Sequence, residues 1–312
     1  MIILLLFIVC FFRLEGSEIV RSTKQIVLDD YPGAFNPSIV QYEDGFLFTF
    51  RYCPDVQKNA HISYIGVVRL NRALEPISPP QLLSTRFLNN KTPSQSEDAR
   101  IFIYRGRYFL IYNDNMEDEG AYRYHRRDMF MAELTYRDSF FRLSMPIKLI
   151  HEEKYWTQLW QKNWVPFDWH GNLLIIYTVS PHEIVFPNLL SGICYPAYNT
   201  WRIIDWQWGP LRCSAPPQLV DGVYLTFFHS GCVTTSPASH GWNLWHYFMG
   251  AYTFSSEPPF QILTFSKEPI TADEFYTQSG KEKRVVFPGG FVVDGNYIYL
   301  AYGKDDDEMW IA

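Results

Sequence analysis

Short hydrophobic runs, each introduced by a turn ending in glycine, recur along the whole chain. The five turns are centred on Gly45, Gly106, Gly171, Gly222 and Gly295. They recur roughly every 60 residues, a spacing typical of blade-type repeats. Glycine in such a turn supplies the positive φ angle that a tight hairpin needs. The pattern therefore predicts five β-hairpins of the same kind.

Additional apolar runs flank these hairpins and extend each one into a small sheet. A first strand is predicted before every turn, at 37–42, 101–104, 164–167, 216–220 and 285–293. A third strand follows several copies, at 65–70, 129–134 and 248–254. Three to four strands repeated five times predict an all-β fold, a five-bladed β-propeller. The alternative is a sandwich of unrelated hairpins.

The two ends of the chain are predicted to complete one blade together. Residues 309–312 have the pattern of the third strand of the fifth blade, which leaves its outer strand missing. The apolar segment 19–28 can supply that strand and close the ring, which removes an exposed sheet edge.

The amino end has the composition of a targeting segment. Residues 2–9 are entirely apolar, too short a run to span a bilayer comfortably. We interpret 1–16 as a signal peptide and 17–312 as a single propeller domain. A secreted or periplasmic location follows, or a cytoplasmic one if the start of the chain is mis-assigned. The alternative is an uncleaved anchor.

Composition narrows the range of partners. Aromatic residues make up 18% of the chain, which favours strands and also suits sugar binding, because pyranose C–H faces pack on aromatic rings. The net charge of -6, without a long basic block, argues against nucleic acid. No integral membrane domain is predicted.

Neither zinc nor calcium patterns are visible, so no metal site is expected. An even number of cysteines permits disulfides, with four in the mature chain: Cys53, Cys194, Cys213 and Cys232.

Propeller geometry predicts that scattered polar residues share one mouth of the central channel. First strands begin, and second strands end, at this mouth because the two strands are antiparallel. Polar residues at these positions predict a small-ligand pocket, although each could instead occupy a solvated turn or, for the histidine, the core. They are Asn36, Arg51, Asp98, Arg100, Asn113, Lys162, Asn163, His229 and the acidic run 305–307.

The segment 95–100 is the chemical centre of this prediction. Strand alternation places Asp98 and Arg100 on one face and turns Glu97 to the other. A carboxylate beside an arginine at a strand mouth suits acid chemistry or the binding of sugar hydroxyls. The alternative is a solvated ion pair.

The motifs at these positions resemble those of glycoside hydrolase family 130. The resemblance extends from about residue 34 to the end, with one or two motifs per blade. The matching segments are Asn36-Pro37-Ser38, Glu97-Asp98-Ala99-Arg100, Lys162-Asn163, Pro166-Phe167, Pro216-Pro217, Tyr247-Phe248-Met249-Gly250, 285–290 and Tyr302-Gly303. The family comprises five-bladed propellers, mostly inverting β-mannoside phosphorylases with some β-mannosidases, and related β-mannosyltransferases share the scaffold.

The resemblance implies a role for each matching residue. Asp98 matches the general acid. The positions that hold the sugar are Asn36, Ser38, Arg51, Arg100, Asn163 and an acidic residue after Gly303, which by spacing is Asp306 or Asp305. The positions near phosphate are Lys162, His229 and Tyr247. No cofactor is implied, and inorganic phosphate would be a co-substrate of an oligosaccharide or glycoside.

The chain departs from the family pattern at two places. Ala99 replaces a proline, and the segment 178–182 lacks the arginine usual in blade three, which removes one phosphate-binding cation. The remaining cation candidates are Lys162, Arg126, Arg127 and His229. A general acid needs a raised pKa, so we expect Arg100 to bind substrate or Glu97 rather than Asp98.

Three functions remain open on the sequence. The first is an inverting β-mannoside phosphorylase that yields mannose 1-phosphate. The second is an exported β-mannosidase or β-mannosyltransferase; a hydrolase needs a second carboxylate to activate water, for which Glu183, Asp168 and Asp205 are candidates. The third is a sugar-binding propeller without catalytic activity.

Overall fold

The computed structural model describes residues 19–116 and 126–312. They form a nearly all-β propeller with 23 strands. Blade one contains β2 (Phe35–Tyr42), β3 (Gly45–Tyr52), β4 (Tyr64–Leu70) and β5 (Gln81–Leu82). Blade two contains β6 (Glu97–Tyr104), β7 (Arg107–Asp114), β8 (Asp128–Arg137), β9 (Phe140–Leu143) and β10 (Ile147–His151).

The other three blades continue this order along the chain. Blade three contains β11 (Val165–Trp169), β12 (Asn172–Thr178), β13 (His182–Pro187) and β14 (Ile193–Thr200). Blade four contains β15 (Arg212–Cys213), β16 (Gln218–Val220), β17 (Val223–Thr234), β18 (Leu244–Ser255) and β19 (Ile262–Phe265), with β20 (Lys283–Arg284) pairing alongside β18. Blade five contains β21 (Val286–Asp294), β22 (Tyr297–Lys304), β23 (Glu308–Ile311) and β1 (Lys24–Ile26). The helical elements in the described ranges are one turn, α1 (Val56–Asn59), and a 3-10 turn at Pro237–Ser239.

The amino-terminal strand closes the ring, as the sequence predicts. β1 pairs antiparallel with β23, with Lys24 opposite Ile311 and Ile26 opposite Met309. Ile26 and Leu28 are buried in a cluster that also contains Phe48 of blade one and Val292 of blade five. The first and last blades are therefore joined by both strand pairing and apolar packing.

Five hydrophobic clusters hold the blades to one another. Each cluster lies between two neighbouring blades, from blades five and one through to blades four and five. The middle strands consequently bury both faces: the first six residues of β3 are all buried. Strands covered on both sides read as continuous apolar runs, which explains the aromatic-rich pattern after each turn.

Four of the five repeat glycines carry the positive φ that the sequence predicts. The angles lie between 59° at Gly295 and 82° at Gly222. Gly45 is the exception, because Glu43 has the positive φ in that turn. A Cβ atom at Gly45 would lie 2.2 Å from the carbonyl oxygen of Leu70. Glycine is therefore required there by close packing rather than by backbone conformation.

The structure bears on the predicted disulfides and on membrane-spanning helices. The cysteines at 53, 194, 213 and 232 are all free thiols, so the permitted disulfides do not form. The predicted signal peptide, 1–16, lies outside the described residues. In the described ranges no helix is long and apolar enough to cross a bilayer.

Candidate active site

In blades one, two and three, a residue with left-handed backbone geometry lies within two residues of the start of the inner strand. The φ angles are 47° for Asn36, 53° for Asp98 and 64° for Asn163. The first two coincide with register shifts in the β2–β3 and β6–β7 pairs, which are β-bulges. Positive φ in such residues is uncommon and concentrates at functional sites. The bulges bring Asn36 and Asp98 into contact across two blades.

The bulge in β6 overturns the prediction that Glu97 and Asp98 diverge. Both carboxylates contact the guanidinium group of Arg51. Its Nη2 lies 2.9 Å from Glu97 Oε1, and its Nη1 lies 3.4 Å from Asp98 Oδ1. Strict alternation would have turned the two side chains apart, but the extra residue of a bulge breaks the alternation.

Asp98 is a buried carboxylate held by an amide and an arginine. It is 9% exposed, and Asn36 Nδ2 donates a 2.9 Å hydrogen bond to its Oδ1. Burial acts to raise the pKa of Asp98, but the charges of Arg51, Lys162 and Arg100 and the hydrogen bond from Asn36 outweigh it and lower the pKa. Asp98 is therefore ionised at neutral pH.

Glu97 is the hub of the charge network, a role that the sequence analysis did not assign. Its Oε1 lies 2.9 Å from Arg127 Nη2 as well as 2.9 Å from Arg51 Nη2. Its Oε2 lies 2.6 Å from Lys162 Nζ. Burial acts to raise the pKa of Glu97, and the three cations lower it. The neighbouring Arg126 is bound to Asp128 at 2.9 Å instead.

The network carries more positive than negative charge. The carboxylates of Glu97 and Asp98 are accompanied by four basic side chains: Arg51, Arg100, Arg127 and Lys162. Lys162 keeps 29% of its side chain exposed, whereas Glu97 keeps 7%. An anion that enters the mouth would therefore meet a net excess of two positive charges, with lysine accessible.

Arg100 does not bind Glu97 or the Asp98 carboxylate, and it is inaccessible to substrate. Its guanidinium is fully buried and lies over the Phe287 ring at 5.3 Å. It donates to the Ser214 carbonyl at 2.7 Å, the Asp98 carbonyl at 2.8 Å and Asn163 Oδ1 at 2.9 Å. Arg100 thus ties blades two, three and four together beneath the site, and Arg51 takes the role of carboxylate partner.

Ser38 and Asn163 also make contacts within the protein. Ser38 is fully buried, and its Oγ accepts a 3.1 Å hydrogen bond from the Ile101 backbone N–H. Asn163 accepts the bond from Arg100 described above. Both side chains position the inner strands, and their predicted contact with sugar stays a prediction.

His229 and Tyr247 form an aromatic wall on blade four. His229 is 2% exposed, and its Nδ1 lies 2.5 Å from Ser214 Oγ. Its ring stacks on Tyr247 at 5.7 Å and meets the edge of Phe287 at 4.8 Å. Burial, with Arg100 and Arg212, lowers the pKa of His229 well below its usual value. The imidazole is therefore neutral and supplies no charge for phosphate.

Asp305 and Asp306, in the acidic run after Gly303, have different partners. Asp305 Oδ1 accepts a 2.8 Å bond from the Val285 N–H, and its Oδ2 accepts from Ser279. Asp306 instead pairs with Lys283. The charge of Asp306 also contributes to the raised pKa of Arg51, which places it near the network. Asp306 is accordingly the better candidate for a substrate contact, and Lys283 is a site residue that the sequence analysis missed.

The three candidate bases of a hydrolase do not join the Asp98 network. Asp168 lies at the opposite end of blade three, where its Oδ1 accepts from the Gly171 N–H at 2.6 Å. Glu183 is occupied by His151, at 2.9 Å, and by Lys154. Asp205 is exposed in the segment after β14. In the described ranges no group of three His, Cys, Asp or Glu residues could hold a metal ion.

Gly303 provides the space that Asn36 needs to hold Asp98. A Cβ atom at Gly303 would lie 2.2 Å from Asn36 Oδ1 and 2.7 Å from its backbone nitrogen. We predict that Gly303→Ala displaces Asn36 and lowers kcat/KM about 100-fold, the cost of misplacing a catalytic group by about 1 Å. Steady-state kinetics would measure this. The matched control is Gly280→Ala, because no atom lies within 4 Å of a Cβ at Gly280. Equal kinetics for both variants would contradict the prediction.

Solved structures with the same fold come from several kinds of carbohydrate-active enzyme. A glycosyl hydrolase from Bacteroides ovatus matches with a TM-score of 0.67 and 14% identity, covering 96% of this chain and 92% of its own. The β-1,2-mannobiose phosphorylase from Listeria innocua gives 0.59 and 16%, covering 95% and 91%. MPT-1, a GDP-Man-dependent mannosyltransferase from Leishmania mexicana, gives 0.56 and 12%, covering 96% and 90%. At these identities the likeness establishes the propeller fold.

Sequence comparison identifies the family. A search of curated protein sequences finds no match. The family model described as β-1,4-mannooligosaccharide phosphorylase matches residues 13–312, which includes every blade and all residues of the Asp98 network. The chain therefore belongs to glycoside hydrolase family 130, an enzyme family whose members are phosphorylases and hydrolases acting on mannosides.

Proposed function

We propose that this protein is an inverting β-mannoside phosphorylase that uses inorganic phosphate to release mannose 1-phosphate. The observation that carries the proposal is the positive excess around Asp98. Phosphorolysis needs a proton donor for the leaving oxygen and cations that hold the anionic nucleophile. Asp98 is the donor, and the cations whose charges act on its carboxylate are Arg51, Lys162 and Arg100. Arg127 shares Glu97 with Arg51 and Lys162.

Phosphate binding also explains how an ionised Asp98 can act as an acid. The cations lower its pKa in the free site. A bound phosphate dianion would offset the two excess positive charges, so the pKa of Asp98 would rise and the carboxyl would take up a proton. That proton then passes to the glycosidic oxygen while a phosphate oxygen bonds to the anomeric carbon. The carbon–oxygen bond to the leaving sugar breaks, and inversion gives the α-anomer of mannose 1-phosphate.

The charge balance favours phosphorolysis over hydrolysis. An inverting hydrolase needs a second carboxylate that is free to activate water. Glu97, the carboxylate adjacent to Asp98, is held by three cations, and Asp306, near Arg51, is paired with Lys283. The predicted signal peptide supports the competing β-mannosidase or mannosyltransferase, because sugar phosphate made outside the cytoplasm would be lost to the cell. The transferase would also need an activated sugar donor.

A paired assay tests the proposal. The purified protein is incubated with β-1,2- and β-1,4-linked mannobiose, with and without phosphate, and the products are separated and identified. We expect mannose 1-phosphate to form only with phosphate. Free mannose at equal rates in both arms would overturn phosphorolysis in favour of hydrolysis. Binding of mannobiose by calorimetry without any product would favour the sugar-binding propeller, and turnover only with a nucleotide sugar would favour the transferase.

A further inference from the structure

The carboxylate of Glu97 binds, through both of its oxygens, cations that a phosphate ion would also need. Its Oε1 accepts hydrogen bonds from Arg51 and Arg127, each at 2.9 Å, and its Oε2 accepts one from Lys162 at 2.6 Å. Charge-assisted bonds of this kind are the ones with which proteins hold phosphate oxygens. In the free site Glu97 therefore occupies the positive groups as a bound oxyanion would.

The three cations differ in how readily they can change partner. The side chain of Lys162 is 29% exposed, whereas those of Arg51 and Arg127 are 12% and 9% exposed. Lysine carries a compact ammonium on a flexible stem, and its three donors can rotate. Arg51 is also tied to Asp98, at 3.4 Å. Lys162 is thus the cation that can leave Glu97 most easily for an anion that enters the mouth.

Contacts other than those with Glu97 also hold these cations in place. The Arg127 guanidinium donates to the backbone carbonyl of Gln95. The Lys162 ammonium lies 5.3 Å from the centroid of the Trp160 ring, within the range of a cation–π contact. Removing the charge of Glu97 would therefore leave the cations near the mouth and make their charge available to another anion.

The position of Glu97 also links Lys162 to the state of the acid. The charge of Asp98 acts to raise the pKa of Glu97, so the two carboxylates repel each other. The charge of Lys162 opposes this repulsion, because it acts to lower the pKa of both groups. If an anion drew Lys162 away, the repulsion would be less well compensated, and a proton on Asp98 would relieve it.

We propose that Glu97 is a positioning residue, an internal anion that holds Lys162 until phosphate takes its place as the partner of that lysine. The exchange replaces one ion pair with another, so Glu97 weakens the affinity of the site for phosphate. It also leaves the Glu97 charge less neutralised beside Asp98, which favours the protonated acid only when phosphate is bound. This inference rests on the proposed function, because it takes phosphate as the entering anion.

The substitution Glu97→Gln tests this role, because it keeps the shape of the side chain and removes its charge. Binding of inorganic phosphate is measured by calorimetry at low ionic strength, and phosphate-dependent kinetics are measured with mannobiose. We expect phosphate to bind about tenfold more tightly, since Lys162 no longer has a charged partner to leave. The KM for phosphate should fall, while kcat falls about tenfold because Asp98 loses the neighbouring charge that favours its proton.

The matched control is Glu183→Gln. Glu183 is 6% exposed, close to the 7% of Glu97, and it is likewise bound by basic side chains, His151 and Lys154, outside the Asp98 network. Its variant should bind phosphate and turn over as the wild type does. Weaker phosphate binding in Glu97→Gln, or a lower kcat without a lower KM, would mean that Glu97 only holds the cations in place and would overturn the proposal.

Crystal structures of the wild type without and with inorganic phosphate test the exchange without any variant. We expect the contact between Lys162 and Glu97 in the first and a contact between Lys162 and phosphate in the second. Bound phosphate with Lys162 still on Glu97 would overturn the exchange.

The binding and kinetic results separate failure of this inference from failure of the proposed function. Phosphate-dependent turnover in the wild type, with no tighter binding in Glu97→Gln, would overturn the role of Glu97 and leave the reaction standing. Tighter phosphate binding in the variant of a protein without phosphorolysis would overturn only the reaction. A lack of phosphate binding in both proteins would overturn both proposals.

Discussion

Asp98→Asn is expected to lower kcat by about 10³-fold, within the range that a general acid contributes. Asparagine has nearly the same shape, and its Oδ1 can still accept the hydrogen bond that Asn36 donates to Asp98 at 2.9 Å. The variant cannot, however, pass a proton to the leaving oxygen. Initial rates of phosphate-dependent product formation would measure the loss, and circular dichroism would establish that the fold is retained.

The matched control for Asp98→Asn is the same substitution at Asp168. That carboxylate is partly buried and bonded to a turn N–H at the opposite end of blade three. We expect its rates to equal those of the wild type. Wild-type rates for Asp98→Asn would refute the assignment of the acid. Loss of activity in Asp168→Asn instead would mean that the chemistry lies at the other end of the channel.

The repeat pattern was sufficient to predict the architecture. The glycine turns and apolar runs define five hairpins, and ring closure then requires an outer strand for the last blade. β1 supplies it, opposite β23. These features depend on local sequence and on a general constraint against exposed edges. The Gly45 turn shows the limit of this reasoning. Glycine is required there because a Cβ atom would clash with the carbonyl oxygen of Leu70, in a strand more distant in sequence.

The pairing of side chains at the mouth could not be predicted from the same pattern. Strand alternation assigned Glu97 and Asp98 to opposite faces, but a bulge between Glu97 and Arg100 brings both to Arg51. Whether a bulge forms depends on the register with the neighbouring strand. A useful signal was nevertheless present: Asn36, Asp98 and Asn163 are residue types that tolerate positive φ, at equivalent positions in three blades.

The contacts of the basic residues could not be predicted from the sequence either. Arg100 is adjacent to Asp98 along the chain but bonds to backbone carbonyls and Asn163, whereas Arg51, from another blade, binds both carboxylates. Lys283 joins the site through pairing of β20 with β18. Such contacts follow from how blades meet, which a single sequence pattern does not encode.

Arg51→Met is expected to lower the free energy of unfolding by about 3 kcal/mol or more at pH 7, because it leaves two buried carboxylates without their shared cation. Arg51 is 12% exposed in its side chain, and Glu97 and Asp98 are 7% and 11% exposed. Burial alone would lower the pKa of Arg51, but the two carboxylates raise it. Urea unfolding followed by fluorescence would measure the change.

An exposed ion pair of the same length provides the control. Arg107 Nη1 lies 2.9 Å from Glu133 Oε2, the distance found between Arg51 and Glu97, but its side chain is 57% exposed. Arg107→Met should cost less than about 1 kcal/mol, since solvent screens such pairs. Equal losses in the two variants would contradict a special role for the buried network.

The pH dependence of the Arg51→Met loss separates charge from packing. The pKa values of Glu97 and Asp98 are lower in the folded wild type than in the unfolded chain, where carboxyls titrate at about pH 4. Their ionised forms therefore stabilise the fold above that pH, and this contribution is lost as the pH falls through the folded values. In the variant the two pKa values rise, so protonation relieves the buried charge at a higher pH. The difference between wild type and variant should accordingly be smaller at pH 4 than at pH 7. A difference that does not change with pH would mean that Arg51 stabilises the fold only by packing on the Phe35 ring, 5.0 Å away.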